Sequence, residues 1–228
     1  MTTTGTTSIP QITLNTGASI PQLGYGALAL QPDRESNDTN AKITEPIVTQ
    51  ALEAGYRHLD TAQAYGTELG VGRAIAHSGI PRDEIYITSK LANSNHAPDD
   101  VKRSFEQTLT DLGVDQLDLF LIHWPLPTLY GGDYVSTWRT VAGFVEDGRL
   151  RSAGVSNFQP AHLDRIVAES VLARLPEQHR TVLALRYMDD CSVPECAQLI
   201  GRTVHATEAL LVRARRAFRS QYPDGGKP

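Results

Sequence analysis

The first three quarters of the chain alternate short apolar runs with longer amphipathic stretches, whereas the last quarter carries only a helical pattern. Uninterrupted apolar or β-branched runs are typical of buried strands, and apolar residues at three- and four-residue spacings are typical of helices. Strands are predicted over residues 57–62, 84–91, 117–125 and 150–157, after a hairpin and a strand within residues 12–26. Helices are predicted over residues 45–55, 68–79, 97–113 and 135–149, and a further helix begins at Ala161.

These elements make about five successive βα units. Helices of this length between strands imply right-handed crossovers and therefore a parallel sheet. Polar residues stand at the carboxyl ends of the predicted strands, namely Asp60, Lys90, His123, Ser156 and Asn157. Reactive groups collect at that rim both in a (β/α)8 barrel and in an open α/β sheet. The pattern alone therefore predicts an α/β fold without choosing between the two.

Charge divides the chain where the pattern changes. Residues 1–168 hold 12 basic and 19 acidic side chains, whereas residues 169–228 hold 9 and 7. This asymmetry suggests two modules with different partners. No apolar run is long enough to cross a bilayer, and the N-terminus lacks the pattern of a signal peptide. We expect a cytoplasmic protein without a membrane partner, and Cys191 and Cys196 suggest neither a metal site nor a disulfide framework.

Five stretches in the first part resemble the aldo-keto reductase family. They are GYRHLDTAQAYGTELGVGRAI, ITSKL, LDLFLIHWP, DGRLRSAG and GVSNF, and the resemblance spans residues 10 to about 168. It implies a (β/α)8 barrel that uses NADPH to reduce an aldehyde or ketone. The family's catalytic tetrad maps onto Asp60, Tyr65, Lys90 and His123, and its grip on the nicotinamide carboxamide maps onto Ser156 and Asn157.

The chemistry of these residue types agrees with that assignment. Hydride transfer to a carbonyl leaves an alkoxide, which Tyr65 can protonate if the phenol pKa, normally about 10, is lowered. A buried lysine beside the phenol lowers it, an aspartate keeps the lysine charged, and a histidine orients the carbonyl oxygen. Taken singly, Asp60 could be a helix cap and Lys90 a surface cation. His123 could be a histidine at a strand end with its hydrogen bonds satisfied and no role in chemistry.

The resemblance also shows departures. The first strand is followed by Gly26-Ala27-Leu28, where the family usually has Gly-Thr-aromatic. Nothing after Val167 matches the family's last three strands, which supply a glutamine and an aromatic residue for the nicotinamide and a basic segment for the adenosine phosphate. We therefore expect an incomplete TIM barrel of about five βα units plus an N-terminal hairpin. Its exposed sheet edges suggest a possible oligomer.

A second resemblance covers residues 172–218, LARLPEQHRTVLALRYMDDCSVPECAQLIGRTVHATEALLVRARRAF, which are similar to region 4 of sigma factors of the extracytoplasmic-function group. It implies contact with promoter DNA and RNA polymerase through residues 169–222. Physically the segment predicts a small all-α helix-turn-helix domain. Ser192 and Pro194 begin its first helix, and Gly201 permits the turn. The expected core positions of the second helix are Val204, Thr207, Leu211, Ala214 and Phe218.

The second helix of this motif carries the candidate DNA contacts. Thr203, which can cap the helix, stands with His205 and Ala206 near the exposed start, where side chains reach base edges. The arginines suited to phosphates are Arg202, Arg213, Arg215 and Arg216. Glu208 and Leu210 stand where many relatives are basic, which lowers the expected affinity. The alternative is an ordinary amphipathic helix with a solvated arginine face.

The predicted organisation is therefore a partial reductase barrel over residues 1–168, a helix-turn-helix domain over 169–222 and a disordered tail over 223–228. Three hypotheses follow for its function. The chain is an NADPH-dependent oxidoreductase acting on a small carbonyl substrate, a DNA-binding protein related to transcription initiation, or a fusion without a selected function.

Overall fold

The computed structural model describes residues 9–28, 30 and 33–222, and the predicted tail over 223–228 lies outside them. The chain divides into two compact units between Phe158 and Gln159. This division falls ahead of the predicted junction after Ala168, because the helix that begins at Pro160 belongs to the second unit. None of the described helices has the length and apolarity that a bilayer span requires.

The first unit opens with a short antiparallel hairpin, β1 (Gln11–Thr13) and β2 (Ser19–Pro21). Its turn contains Gly17 at φ +84°, a left-handed conformation that glycine adopts without strain. The Thr16 and Ser152 hydroxyls lie 3.0 Å apart, which places the hairpin against the sheet.

The sheet contains five parallel strands in chain order: β3 (Tyr25–Gly26), β4 (His58–Asp60), β5 (Tyr86–Leu91), β6 (Leu117–Ile122) and β7 (Leu150–Val155). Doubly wound sheets reverse their strand order at a switch point, whereas a barrel keeps consecutive strands adjacent. The order here is that of a barrel segment. The sheet is nevertheless open, since β3 and β7 are its edges and no strand follows β7 in the described part of the chain.

Four helices follow the strands: α1 (Asp38–Glu53), α2 (Glu68–His77), α3 (Pro98–Leu112) and α4 (Tyr134–Glu146). Three short 3-10 turns accompany them at Gln63–Tyr65, Arg82–Glu84 and Tyr130–Gly132. Helix α1 begins earlier than predicted, because the Asn37 side chain accepts a hydrogen bond from the Asn40 backbone N–H at 2.8 Å. This cap satisfies one of the otherwise unpaired donors of the first turn.

The core of the first unit lies between the sheet and these helices. Phe105 of α3 stacks on Phe144 of α4 with ring centroids 4.1 Å apart, and its centroid lies 5.1 Å from that of Phe120 on β6. Along β5, Ile87 and Leu91 belong to this core. Because side chains alternate along a strand, Lys90 points to the opposite face of the sheet. The core thus fixes the strands whose carboxyl ends carry the predicted site.

The second unit consists of four helices: α5 (Pro160–Arg174), α6 (Glu177–Tyr187), α7 (Val193–Leu199) and α8 (Val204–Gln221). Its own apolar core contains Leu175, Val182, Leu183, Leu210, Leu211 and Ala214. Thr207, Leu211 and Ala214 are buried as predicted, and Phe218 packs against the core. Val204 is 44% exposed, contrary to prediction, because it is the first residue of α8 and the buried face of the helix begins one turn later. Leu210 is buried and closes the core instead.

Candidate active site

The predicted site residues lie at the carboxyl ends of neighbouring strands. Asp60 ends β4, Lys90 is the last but one residue of β5 and His123 follows β6. Tyr65 ends the 3-10 turn that leaves β4. Because adjacent parallel strands end at the same edge, the four side chains meet there, although β4, β5 and β6 are far apart in sequence.

Lys90 and Asp60 form an ion pair at the base of this site. The Lys90 Nζ donates to Asp60 Oδ1 and, at 3.0 Å, to the Thr61 carbonyl oxygen. Lys90 is 7% exposed, and the cost of removing its charge from water is offset by the carboxylate and the carbonyl. The pair therefore fixes the position of the Lys90 ammonium at the rim.

Tyr65 lies between this charge and His123. The Lys90 Nζ is 4.9 Å from the centroid of the Tyr65 ring, and the His123 ring packs edge-on against Tyr65 with centroids 5.7 Å apart. The next residue, Gly66, has φ +69°, and a Cβ there would lie 2.6 Å from the Arg34 carbonyl carbon. A larger residue would therefore displace the turn that presents the phenol.

The His123 imidazole favours its neutral form. Burial lowers its pKa, and the Lys90 ammonium lowers it further, whereas the carboxylate of Asp60 opposes the shift. A neutral imidazole carries one N–H donor and one acceptor nitrogen. His123 can therefore donate a hydrogen bond to a carbonyl oxygen without bringing a second positive charge into the site.

Ser156 and Asn157 follow β7 at the same rim. The Asn157 amide Nδ2 donates to the His123 carbonyl oxygen at 2.8 Å and to Ser156 Oγ at 3.1 Å, which joins the ends of β6 and β7. Asn157 has φ +62°, a conformation that is uncommon outside glycine and is concentrated at functional sites. Its exposed amide and the Ser156 hydroxyl offer the hydrogen-bonding groups that a nicotinamide carboxamide needs.

One buried acidic residue beside the site escaped the sequence reasoning. Glu68 is 3% exposed in the first turn of α2, three residues after Tyr65. Burial raises the pKa of its carboxyl to about 7, although hydrogen bonds from Ser89 and Thr108 oppose the shift. The available signal was an acidic residue among the apolar positions of a predicted helix, but an exposed first-turn glutamate gives the same pattern.

The second unit contains the predicted helix-turn-helix, formed by α7 and α8. Ser192 and Glu195 make a reciprocal capping box at the start of α7, and Gly201 forms the turn with φ +65°. Thr203 caps α8 by accepting from the Ala206 N–H at 3.2 Å. These three features confirm the predicted local chemistry.

The structure also places the predicted DNA contacts. The exposed residues are Arg202, Thr203, His205, Arg213, Arg215 and Arg216, whereas Ala206 is half-buried. Arg202 donates to the Gln178 side chain of α6 at 2.9 Å, and the Arg215 Nε donates to the Leu211 carbonyl oxygen at 3.3 Å. The arginines of α8 therefore form an exposed basic surface, while Arg202 is tied to the neighbouring helix.

Comparison with known proteins agrees with both units. Residues 22–180 match the sequence model of the Aldo/keto reductase family. The chain belongs to the aldo/keto reductase family. Residues 166–218 match region 4 of sigma-70 and supply a helix-turn-helix domain of that type. Both models match residues 166–180, which include the second half of α5.

Two similar proteins each match about 70% of this chain. An aldo-keto reductase of Mycolicibacterium smegmatis is 47% identical over 161 residues, which are 71% of this chain and 54% of that protein. A D/L-glyceraldehyde reductase of Hypocrea jecorina is 38% identical over 179 residues, with 68% of this chain and 51% of that protein covered. The chain thus spans about half the length of these relatives.

Similar solved structures also match about 70% of this chain and between half and two thirds of their own length. The crystal structure of an aldo/keto reductase from Brucella melitensis has a TM-score of 0.63 at 44% identity and covers 72% of this chain and 59% of that chain. A Bombyx mori aldo-keto reductase, solved in complex with NADP, has a TM-score of 0.62 at 37% identity, with coverage of 71% and 54%. The five-stranded sheet and its helices are therefore those of this family.

We predict that Glu68→Gln stabilises the protein at pH 8 and much less at pH 5. The pKa of Glu68 is about 7 in the folded protein, which is higher than in the unfolded chain. The contribution of Glu68 to the stability of the folded protein is therefore greatest below the unfolded pKa and is lost as pH rises through 7. A shift of this size corresponds to about 3 kcal/mol at pH 8, where both states are ionised. Urea unfolding at the two pH values measures the difference, and an equal effect at both would contradict the prediction.

Proposed function

We propose that the first unit is an NADPH-dependent reductase of aldehydes or ketones. The single observation that carries this proposal is the joint position of Tyr65, the Lys90–Asp60 ion pair and His123 at one rim of the sheet. A phenol, a fixed cation and a neutral imidazole are the groups that protonation of a nascent alkoxide requires.

Each of these residues then has a defined task. His123 donates a hydrogen bond that orients the carbonyl oxygen, and Tyr65 delivers its phenolic proton to that oxygen. The ammonium of Lys90 stabilises the phenolate left behind, and Asp60 holds the ammonium in place. Ser156 and Asn157 would hold the nicotinamide carboxamide. When bound, the cofactor supplies the hydride that reaches the carbonyl carbon.

The proposed turnover is weak. The tetrad needs the reacting atoms about 3–3.5 Å apart, so a loosely held cofactor reduces the rate. The carboxamide contacts are present, but we identified no counterpart of the family's basic segment for the adenosine phosphate after Val167. Several charge-assisted hydrogen bonds, each worth roughly 1.5–3 kcal/mol, are therefore missing from the proposed binding. DL-glyceraldehyde is a suitable first substrate, since a relative is named for its reduction.

We expect Tyr65→Phe to reduce NADPH oxidation with DL-glyceraldehyde by roughly 10²–10⁴-fold, because the proton donor is removed while the ring remains. Tyr187→Phe in the second unit is the matched control, since Tyr187 is 56% exposed and lies on α6. NADPH absorbance gives the rates. Equal loss in both variants, or turnover that persists without the Tyr65 hydroxyl, would refute the proposal.

We also propose that the second unit binds promoter DNA and contacts RNA polymerase, both in the cytoplasm. The supporting observation is a capped helix-turn-helix whose second helix exposes Arg213 and Arg216. Exposed arginines on such a helix can pair with backbone phosphates. The exposed carboxylate of Glu208, in the second turn of α8, opposes this attraction, so the proposed affinity is modest.

Replacing Arg213 and Arg215 together with alanine should weaken DNA binding and make its salt dependence shallower. Each lost phosphate contact reduces the slope of log affinity against log salt by about 0.9. The double variant of Arg174 and Arg180 removes the same charge from exposed positions on α5 and α6, and should change the slope less. The salt slopes of the two double variants are measured by fluorescence anisotropy of the full chain on promoter-like and random duplexes. Identical slopes in both double variants would show that Arg213 and Arg215 only form a solvated face of α8 and do not contact phosphates.

Self-association through the sheet edges is a further part of the proposal. The edge strands β3 and β7 each pair with one neighbour in the described sheet, and unpaired strand edges bind other strands. We expect light scattering to show oligomers whose proportion rises with protein concentration. A monomer that persists over a wide concentration range would contradict this. A chain with neither turnover nor DNA binding would be a fusion without a selected function.

A further inference from the structure

The segment that presents Tyr65 leads directly into the buried start of α2. Tyr65 ends a 3-10 turn, and Glu68 follows as the first residue of the helix. Glu68 is 3% exposed, and no basic side chain pairs with it among the residues that the structure describes. A buried carboxyl without a cation is costly, whereas an apolar side chain at this position would avoid the penalty. Its presence needs an explanation other than packing.

The first partner of Glu68 is a neighbour of the site lysine. Ser89 Oγ donates to Glu68 Oε1 at 2.6 Å, and Ser89 precedes Lys90 on β5. Both Ser89 and Lys90 are buried on opposite faces of the same strand. The hydrogen bond therefore fixes the start of α2 to the strand that positions the ammonium.

The second partner leads back to the turn of Tyr65. The Thr108 hydroxyl of α3 also hydrogen-bonds the Glu68 carboxyl. Thr108 Oγ1 accepts from Gln63 Nε2 at 3.0 Å, so its single proton is available for Glu68. Gln63 is the first residue of the turn that ends at Tyr65, and its Oε1 accepts from the Ala92 N–H at 2.8 Å.

These contacts form one continuous connection on the helix-covered face of the sheet, opposite Lys90. It runs from the turn of Tyr65 through Gln63 and Thr108 to Glu68, and from Glu68 through Ser89 to the strand of Lys90. The charged group with a resolved influence on Glu68 is Asp111 of α3, which disfavours ionisation, while the Ser89 and Thr108 hydroxyls favour it. A carboxyl can accept hydrogen bonds from both hydroxyls at once, which a hydrocarbon side chain cannot.

We propose that Glu68 is a positioning residue, whose carboxyl holds the turn of Tyr65 at a fixed place against the strand of Lys90. The inference rests on the proposed reductase function, since it concerns how the proton donor of that reaction is held. It assigns Glu68 no contact with substrate or cofactor. Loss of the link should displace the phenol, and a displacement of about 1 Å can cost roughly a hundredfold in rate.

The test follows the Tyr65 phenol directly, so that it does not depend on turnover. The full chain is labelled with tyrosine carrying ¹³C at Cζ, and the Tyr65 resonance is identified among the 8 tyrosines by its loss in Tyr65→Phe. The variants are Glu68→Leu, which removes both hydrogen bonds, and Glu68→Gln, which keeps an acceptor and a donor. Asp118→Asn is the control, because Asp118 is a fully buried carboxylate at the other end of the strands, where it accepts from the Ile87 N–H at 2.9 Å.

In Glu68→Leu we expect the Tyr65 resonance to move more than those of the other tyrosines, and kcat for glyceraldehyde to fall roughly 10–100-fold with KM nearly unchanged. Glu68→Gln should restore both at pH 6, and Asp118→Asn should move neither. A folded Glu68→Leu protein with an unmoved resonance and unchanged kcat would overturn the proposal. A displaced resonance in a chain without turnover would support the positioning role and refute the reductase function.

Should Glu68→Leu fail to fold, Glu68→Gln and the wild type decide the question. Between pH 6 and pH 8 the Glu68 carboxyl ionises, so the wild-type Tyr65 resonance should follow that change and the glutamine variant should not. Groups common to both proteins, such as His123, contribute equally and cancel in the difference. Identical pH responses in the two proteins would show that Glu68 does not act on the phenol.

Discussion

The candidate active site depends on one ion pair, in which the lysine is buried and the aspartate is partly exposed. The Lys90 side chain is almost removed from water, and its Nζ donates hydrogen bonds there to Asp60 and to the Thr61 carbonyl oxygen. Tyr65 and His123 are both arranged around this charge, the first beside the ammonium and the second kept neutral partly by it. Removing either member of the pair would leave an unbalanced charge that the remaining residues cannot compensate.

That pair requires adjacent parallel strands, which explains why a partial barrel can still form the site. Asp60 and Lys90 come from β4 and β5, which are neighbours in the sheet, and His123 comes from the next strand. All four residues therefore lie on strands β4 and β5 or in the segments that follow β4 and β6. The first unit thus brings together the groups to which the proposed proton transfer is assigned.

Much of this arrangement was predictable from the sequence. Strands with polar carboxyl ends predicted the rim, and the motif around Asp60 and Tyr65 predicted which residues meet there. The network around Glu68 was not predictable, because it depends on α3, forty residues later, whose Thr108 faces inward only in the folded protein. The early start of α1 was also missed, since its cap is a single asparagine within a polar stretch that reads as a loop.

The two family matches overlap, so they do not by themselves place the boundary that the structure shows between Phe158 and Gln159. Both family models match residues 166–180, which include the second half of α5, although the whole of α5 belongs to the second unit. The buried residues of α5 include Ile166 near its middle and Val171 near its end, and Leu175 caps it. At 100° per residue, Ile166 and Leu175 lie about 180° apart around the helix axis. A helix that buries opposite sides has no single apolar stripe, so periodicity cannot show where one module ends.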